Sequence, residues 1–122
     1  MGWYRKAADQ GNAAAANNLA GMYFDGRGVR QDDVQAAGWY SKAADQGIAS
    51  AQNNLAFLYA FGRGVAKDYV QAYKWYALAA ATFADYANRT QAAQNRDLVA
   101  GEMTSAQIAN AQQLVGEWRP AK

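Results

Sequence analysis

Apolar residues recur along the chain with the spacing of amphipathic helices. Between residues 32 and 47 the apolar positions fall every three or four residues, at Ala36, Tyr40, Ala43 and Ala44. This spacing places them on one face of an α-helix. A second stripe of the same period runs from about 49 to 61. The two stripes predict a pair of helices joined by a short turn.

Polar and glycine residues mark the ends of both helices. Asp32 is a good N-cap, and Gln35 follows three positions later, which is the pattern of a capping box. Gly47 is expected to end the first helix and Gly62 the second, because glycine readily takes the left-handed conformation at a helix C-terminus.

The helical pair is repeated with a period of 36 residues. Trp3, Trp39 and Trp75 are each 36 positions apart, and 3–38 and 39–74 are identical at 23 of 36 positions. Self-similarity at such a period is typical of helical repeat arrays. We therefore predict two full repeats over these ranges.

The rest of the chain completes the predicted domain. Residues 75–101 form a diverged third repeat, and residues 104–118 form a helix that opens with a capping box at Thr104 and Gln107. Its apolar face would cover the last repeat, as the terminal helix of a repeat array must. The sequence thus predicts a single all-α domain over 1–122.

The Gly-Arg-Gly-Val loops that follow the second helices resemble phosphate-binding loops only superficially. Phosphate loops follow a strand and carry a third glycine or a Gly-Lys-Ser/Thr triplet, and neither condition is met here. We interpret Gly26, Gly28, Gly62 and Gly64 as structural residues that end a helix or permit a tight turn. No cofactor is expected.

Charge and composition exclude several classes of function. The 12 basic residues are scattered and balanced by 10 acidic ones, so we expect no nucleic-acid partner. No apolar run is long enough for membrane insertion. The chain has no cysteine and no histidine, which rules out Cys–His and Ser–His–Asp catalysis and ordinary zinc sites. We predict no enzyme activity and no metal.

The repeated sequence resembles a known family. The segments WYSKAADQG at 39–47 and NNLAFLYAFGRGVAKD at 53–68 are similar to the Sel-1-like repeat, a relative of the tetratricopeptide repeat. This resemblance implies a right-handed α-solenoid that acts as a scaffold for protein–protein interaction. Some Cys-rich members are linked to β-lactam binding, and the absence of cysteine here disfavours that activity.

The resemblance also implies where a partner would bind. In tetratricopeptide relatives the first helix of each repeat lines a concave groove. We therefore predict a peptide-binding groove with partly exposed residues at Gln35, Trp39, Lys42, Gln71 and Trp75. Tryptophan is enriched at binding hot spots. The competing interpretation is that the indoles pack between neighbouring repeats, as aromatic residues at helical spacing usually do.

The first residues of the chain correspond to the middle of a repeat. Trp3 matches Trp39, which lies about two turns inside its predicted helix, so we expect a fragment of a longer array or an uncapped end that self-associates. The preferred function is a non-catalytic interaction scaffold. The alternative is a purely structural segment of an array, and a β-lactam-binding protein or hydrolase is the least favoured.

Overall fold

Seven α-helices and their connections make up residues 2–121, the part of the chain that the computed structural model describes. The helices are α1 (Gly2–Asp9), α2 (Ala13–Asp25), α3 (Asp33–Asp45), α4 (Ala49–Phe61), α5 (Tyr69–Thr82), α6 (Tyr86–Ala100) and α7 (Ser105–Glu117). No strand occurs within this range, and the predicted all-α fold is confirmed.

The helices keep the 36-residue period to the end of the array. The helices α3, α5 and α7 begin at Asp33, Tyr69 and Ser105, which are 36 residues apart. We call α1, α3, α5 and α7 the first helices and α2, α4 and α6 the second helices. The helix predicted as a cap, α7, thus has the sequence position of a fourth first helix, and it packs against α5.

Side-chain caps fix where the first helices start. The carboxylates of Asp32 and Asp68 each accept a hydrogen bond, at 3.1 Å, from the backbone N–H three residues later. Such a bond satisfies one of the N–H groups that the first turn leaves free. The reciprocal bond of a capping box forms at α7, where the Thr104 N–H donates to the side-chain oxygen of Gln107 at 2.9 Å. The full capping box predicted for Asp32 is therefore wrong, because Gln35 points its side chain into solvent instead.

Alanine supplies much of the core. Alanines on both layers of helices are completely buried, among them Ala20, Ala36, Ala43, Ala56 and Ala72. A methyl side chain lets two helix backbones approach closely, and alanine also has the highest helix propensity. Leucines and tyrosines fill the remaining space between these contacts.

The glycines of the two Gly-Arg-Gly-Val loops all have left-handed backbone conformations. Gly26 and Gly62 end α2 and α4 at φ 70° and 64°, and Gly28 and Gly64 follow at φ 74° and 73°. The two loops differ in their surroundings. A methyl group on Gly64 would overlap the backbone carbonyl of Asp33, whereas one on Gly28 would meet open space. The second loop is thus pressed against the start of α3.

This difference predicts unequal costs for the same substitution. Gly28→Ala should lower the free energy of unfolding by about 1–2 kcal/mol, the cost of a left-handed alanine. Gly64→Ala should lower it by roughly 1–3 kcal/mol more, because the new methyl group must displace the Asp33 backbone. Urea denaturation of the two variants measures the difference. Equal losses would show that the loop moves away from α3 without cost.

Candidate functional site

The arginine of the second loop is bound by the protein itself. The Arg63 guanidinium donates two hydrogen bonds to the Asp33 carboxylate, from Nε at 3.0 Å and from Nη2 at 3.1 Å. It also lies 4.7 Å from the ring centre of Phe24 and 5.7 Å from that of Phe57. A planar guanidinium suits both contacts. Arg63 thus joins two consecutive repeats, which supports a connector role for the loop.

Arg27 is the repeat equivalent of Arg63 and provides a control. Its nearest carboxylate is that of Asp25, at 3.3 Å on the exposed surface. Arg63→Lys should lower the free energy of unfolding by about 1–2 kcal/mol, because lysine cannot form the paired hydrogen bonds or stack on the rings. The loss stays this small because solvent screens part of the ion pair. Arg27→Lys should change it by less than about 0.5 kcal/mol. Similar values for both variants in urea denaturation would contradict the connector role of Arg63.

The predicted groove residues lie on α3 and α5. Gln35, Trp39 and Lys42 share one face of α3, four and three residues apart, and Gln71 and Trp75 take the equivalent places of Gln35 and Trp39 on α5. Gln35 and Lys42 are exposed, and Gln71 is partly buried. The Lys42 ammonium lies 4.7 Å from the centre of the Trp39 ring.

The expected partial exposure of the two indoles is wrong. Trp39 is 7% exposed and Trp75 is 4% exposed. Cationic side chains cover Trp39, with the Arg5 guanidinium 5.6 Å from its ring centre and Lys42 closer still. Trp75 is covered by Lys74, at 4.4 Å. The indoles therefore form part of the core, and their role in binding stays a prediction.

Covering the Trp75 ring also changes the chemistry of Lys74. Burial lowers the pKa of the Lys74 ammonium, and the nearby Asp45 carboxylate acts in the opposite direction. Burial likewise raises the pKa of Tyr76, the residue after Trp75. Both shifts favour the uncharged form of the side chain, as removal from water does.

The three tryptophans allow a test with an internal control. Trp39→Ala and Trp75→Ala should each lower the free energy of unfolding by about 3–5 kcal/mol, as expected for removing a buried aromatic side chain. Trp3, the equivalent residue on α1, is 70% exposed, and Trp3→Ala should cost less than about 0.5 kcal/mol. Thermal and urea denaturation give these values. A Trp39→Ala variant with the stability of the wild type would contradict the assignment of that indole to the core.

An extended tail lies across the first helices. After α7 the chain leaves the helical conformation, and Trp118 packs edge-to-face on Trp75 with ring centres 6.2 Å apart. A methyl group on Gly47 would lie 3.9 Å from the Trp118 ring. The Ala121 N–H then donates to the backbone carbonyl of Asp45 at 2.6 Å. We call Trp118–Ala121 the tail.

Sequence reasoning gave the tail no role. The sequence places Trp118 at the end of the capping helix and predicts that its ring packs on the third repeat, and the contact with Trp75, the first residue of that repeat, agrees with this. A usable signal was Pro120, the only proline, because a proline favours an extended conformation in the residue before it. No propensity indicates that the extended segment would return to α3.

A cavity of about 240 Å³ opens beside the tail. It lies where α1 and α3 end, and its walls include Gly11, Ala16, Lys42, Gln46 and Ala121. The carboxylates of Asp9 and Asp45 belong to its lining. The cavity therefore combines small apolar residues with charged groups.

The second helices carry a different exposed surface. Phe61 and Leu98 are largely exposed apolar residues, and a cavity of about 210 Å³ lies between them and the Tyr69 and Tyr76 rings. Its lining includes a single carboxylate, that of Glu102. This surface thus combines residues of α4 and α6 with Tyr69 and Tyr76 of α5, so it lies only partly on a helix that was predicted to bind a partner.

Residues 2–121 provide neither a metal centre nor a membrane span. These residues contain no group of three or more side chains suited to hold a metal ion. None of their helices combines the length and the apolar character that a membrane span requires.

Comparison with known proteins gives a family and several similar solved structures. The family model described as Sel1 repeat matches residues 1–12, 13–48 and 49–81. The matches at 13–48 and 49–81 start at the second helices α2 and α4, so they describe the same 36-residue unit as the predicted repeats in a different phase. No curated protein matches the chain.

Two of the similar solved structures come from bacteria. A protective antigen present in uropathogenic Escherichia coli strains, which displays an SLR fold, is 37% identical with a TM-score of 0.85 over 95% of this chain. A Sel1 repeat protein from Oxalobacter formigenes is 39% identical with a TM-score of 0.64, over 67% of this chain and 63% of its own. The match spans 24% of the E. coli protein, about a quarter of its length.

Proposed function

Because the chain belongs to the Sel1 repeat family, we propose that it is a non-catalytic scaffold that binds a protein or peptide partner on its first helices. Repeats of this family are generally scaffolds for protein–protein interaction. The single observation that carries the proposal for this surface is the docked tail. It is an extended segment held on α3 and α5 by an aromatic contact and a backbone hydrogen bond.

The polar side chains on the first helices suit peptide recognition. Gln35 and Lys42 are exposed and Gln71 is partly so, which leaves their polar groups free to orient a peptide. The buried rings of Trp39 and Trp75 give these side chains a rigid base. A preorganised surface binds at lower entropic cost than one that must order on binding.

The alternative is a purely structural segment of a longer array. The match to a quarter of the E. coli protein supports this second proposal, because the chain then resembles part of a larger repeat structure. A hydrolase or β-lactam-binding activity has less support, since the sequence contains neither histidine nor cysteine.

Site-specific photocrosslinking tests the binding surface. A photoreactive amino acid at Gln35 or Lys42, on the first helices, should capture the same protein partner, identified by mass spectrometry. The same amino acid at Leu98, which is 74% exposed on α6, serves as the control and should not capture that partner. Exposed substitutions of this kind leave stability nearly unchanged.

The other outcomes separate the competing functions. Capture of the partner at Leu98 alone would place binding on the second helices and refute the proposed surface. Capture of nothing but other repeat segments at every position would favour the structural function. Turnover of a β-lactam by the purified chain would refute the non-catalytic assignment.

A further inference from the structure

The tail site has an equivalent one repeat earlier. Trp118 lies against Trp75 and Gly47, and the tail N–H is bound by the Asp45 carbonyl. Thirty-six residues earlier, these three positions are Trp39, Gly11 and Asp9. Gly11 and Asp9 line the 240 Å³ cavity, and Lys42, which also lines it, covers Trp39. The cavity is therefore the earlier copy of the surface that the tail occupies.

Two substitutions between the repeats explain why this copy is open. In the later repeat Gln52 is completely buried and Leu78 is nearly so. Their equivalents in the earlier repeat are Ala16 and Lys42, both in the cavity lining. A methyl group replaces the buried amide, and a long cationic side chain with an exposed end replaces the buried leucine. The change from glutamine to alanine leaves the space, and the lysine, which is about as large as leucine, does not fill it because its end lies over the Trp39 ring and is exposed.

The missing glutamine indicates what the cavity can bind. In the later repeat the Gln52 amide donates to the Ala44 carbonyl at 3.3 Å, and that carbonyl also accepts the Gly47 N–H. In the earlier repeat the equivalent carbonyl, of Ala8, accepts the Gly11 N–H. A carbonyl oxygen has two lone pairs, so the Ala8 carbonyl can accept a donor from a ligand where Gln52 donates in the next repeat.

The lining residues and their charges restrict the chemistry of the ligand further. Ala8 and Ala16 are buried apolar residues, and a volume of about 240 Å³ exceeds the roughly 150 Å³ of an engineered cavity that holds benzene. The carboxylates of Asp9 and Asp45 favour a cation near the opening, and the carbonyl ends of α1 and α3 act in the same sense. An indole combines an apolar ring with one N–H donor.

We propose that this cavity binds a tryptophan side chain carried by an extended segment of a partner protein, with a basic residue next to the tryptophan. The indole N–H donates to the Ala8 carbonyl, and the Lys42 ammonium lies against the ring. The neighbouring basic residue faces Asp9 and Asp45. The inference rests on the proposed function and names the chemistry of the segment that the first helices recognise.

The tail supplies the probe for this site. A synthetic peptide of sequence GEWRPAK, identical to residues 116–122, is added to the full isotope-labelled chain, whose own tail stays in place. Amide resonances of Gly11, Lys42 and Gln46 should shift on titration. The peptide GEARPAK, without the indole, should bind at least about tenfold more weakly, in the range by which one aromatic contact changes a Kd.

A matched pair of variants assigns the shifts to the cavity. Gln46→Trp fills the cavity from α3 and should weaken binding of GEWRPAK by about tenfold or more. Leu98→Trp places the same ring on the exposed face of α6 and should leave the affinity unchanged. Equal affinities for both variants would overturn the inference.

Three other outcomes would also overturn it. Shifts confined to Gly47 and Trp75 would mean that the peptide only displaces the tail. No shift up to about 5 mM would mean that the cavity takes no such segment. Shifts at Gly11 that grow with protein concentration alone, and vanish in Trp118→Ala, would identify a second copy's tail as the occupant. In each case a partner captured at Gln35 would leave the proposed function standing.

Discussion

Close contact between alanine-rich helix faces is the constraint on which the rest of the structure depends. Ala36, Ala43 and Ala72 are completely buried because the neighbouring backbones approach to within the reach of a methyl group. Spacing this short forces the connecting loops close to the helices as well. Gly64 meets the Asp33 carbonyl for this reason, and no side chain fits between them. Close packing therefore accounts for Gly64, whereas Gly28 meets open space and is suited to its place by its left-handed backbone alone.

Equivalent residues in the repeats acquire different properties from their neighbours. Trp3 is exposed on α1, whereas cations cover Trp39 on α3 and the tail contacts Trp75 on α5. Arg27 and Arg63 differ in the same way, because Arg63 binds the Asp33 carboxylate whereas Arg27 lies beside Asp25 on the exposed surface. In a repeat protein each unit is stabilised through contacts with its neighbours. Position in the array therefore determines whether a repeated residue is structural or accessible.

The sequence predicted the all-α architecture well because its signals are local. Helical periodicity, aspartate caps and glycine ends place the elements within a few residues, and internal identity places the repeats. The burial of Trp39 could not be predicted in this way, because Arg5 covers the ring from the preceding repeat, in addition to Lys42 on the same helix. The tail was missed for a related reason. Its hydrogen bond joins Ala121 to Asp45, and no periodic pattern links positions so far apart.

The docked tail also sets a threshold for anything that binds over Trp75. A segment tethered by a short connection has an effective concentration at its own site of the order of millimolar. A free competitor present at micromolar concentration must therefore bind about a thousandfold more tightly than the tail to displace half of it. Segments that bind weakly therefore cannot displace the tail from Trp75 at micromolar concentration. A segment that binds this face of α5 must therefore have a high affinity, because Trp118 is attached directly to the end of α7.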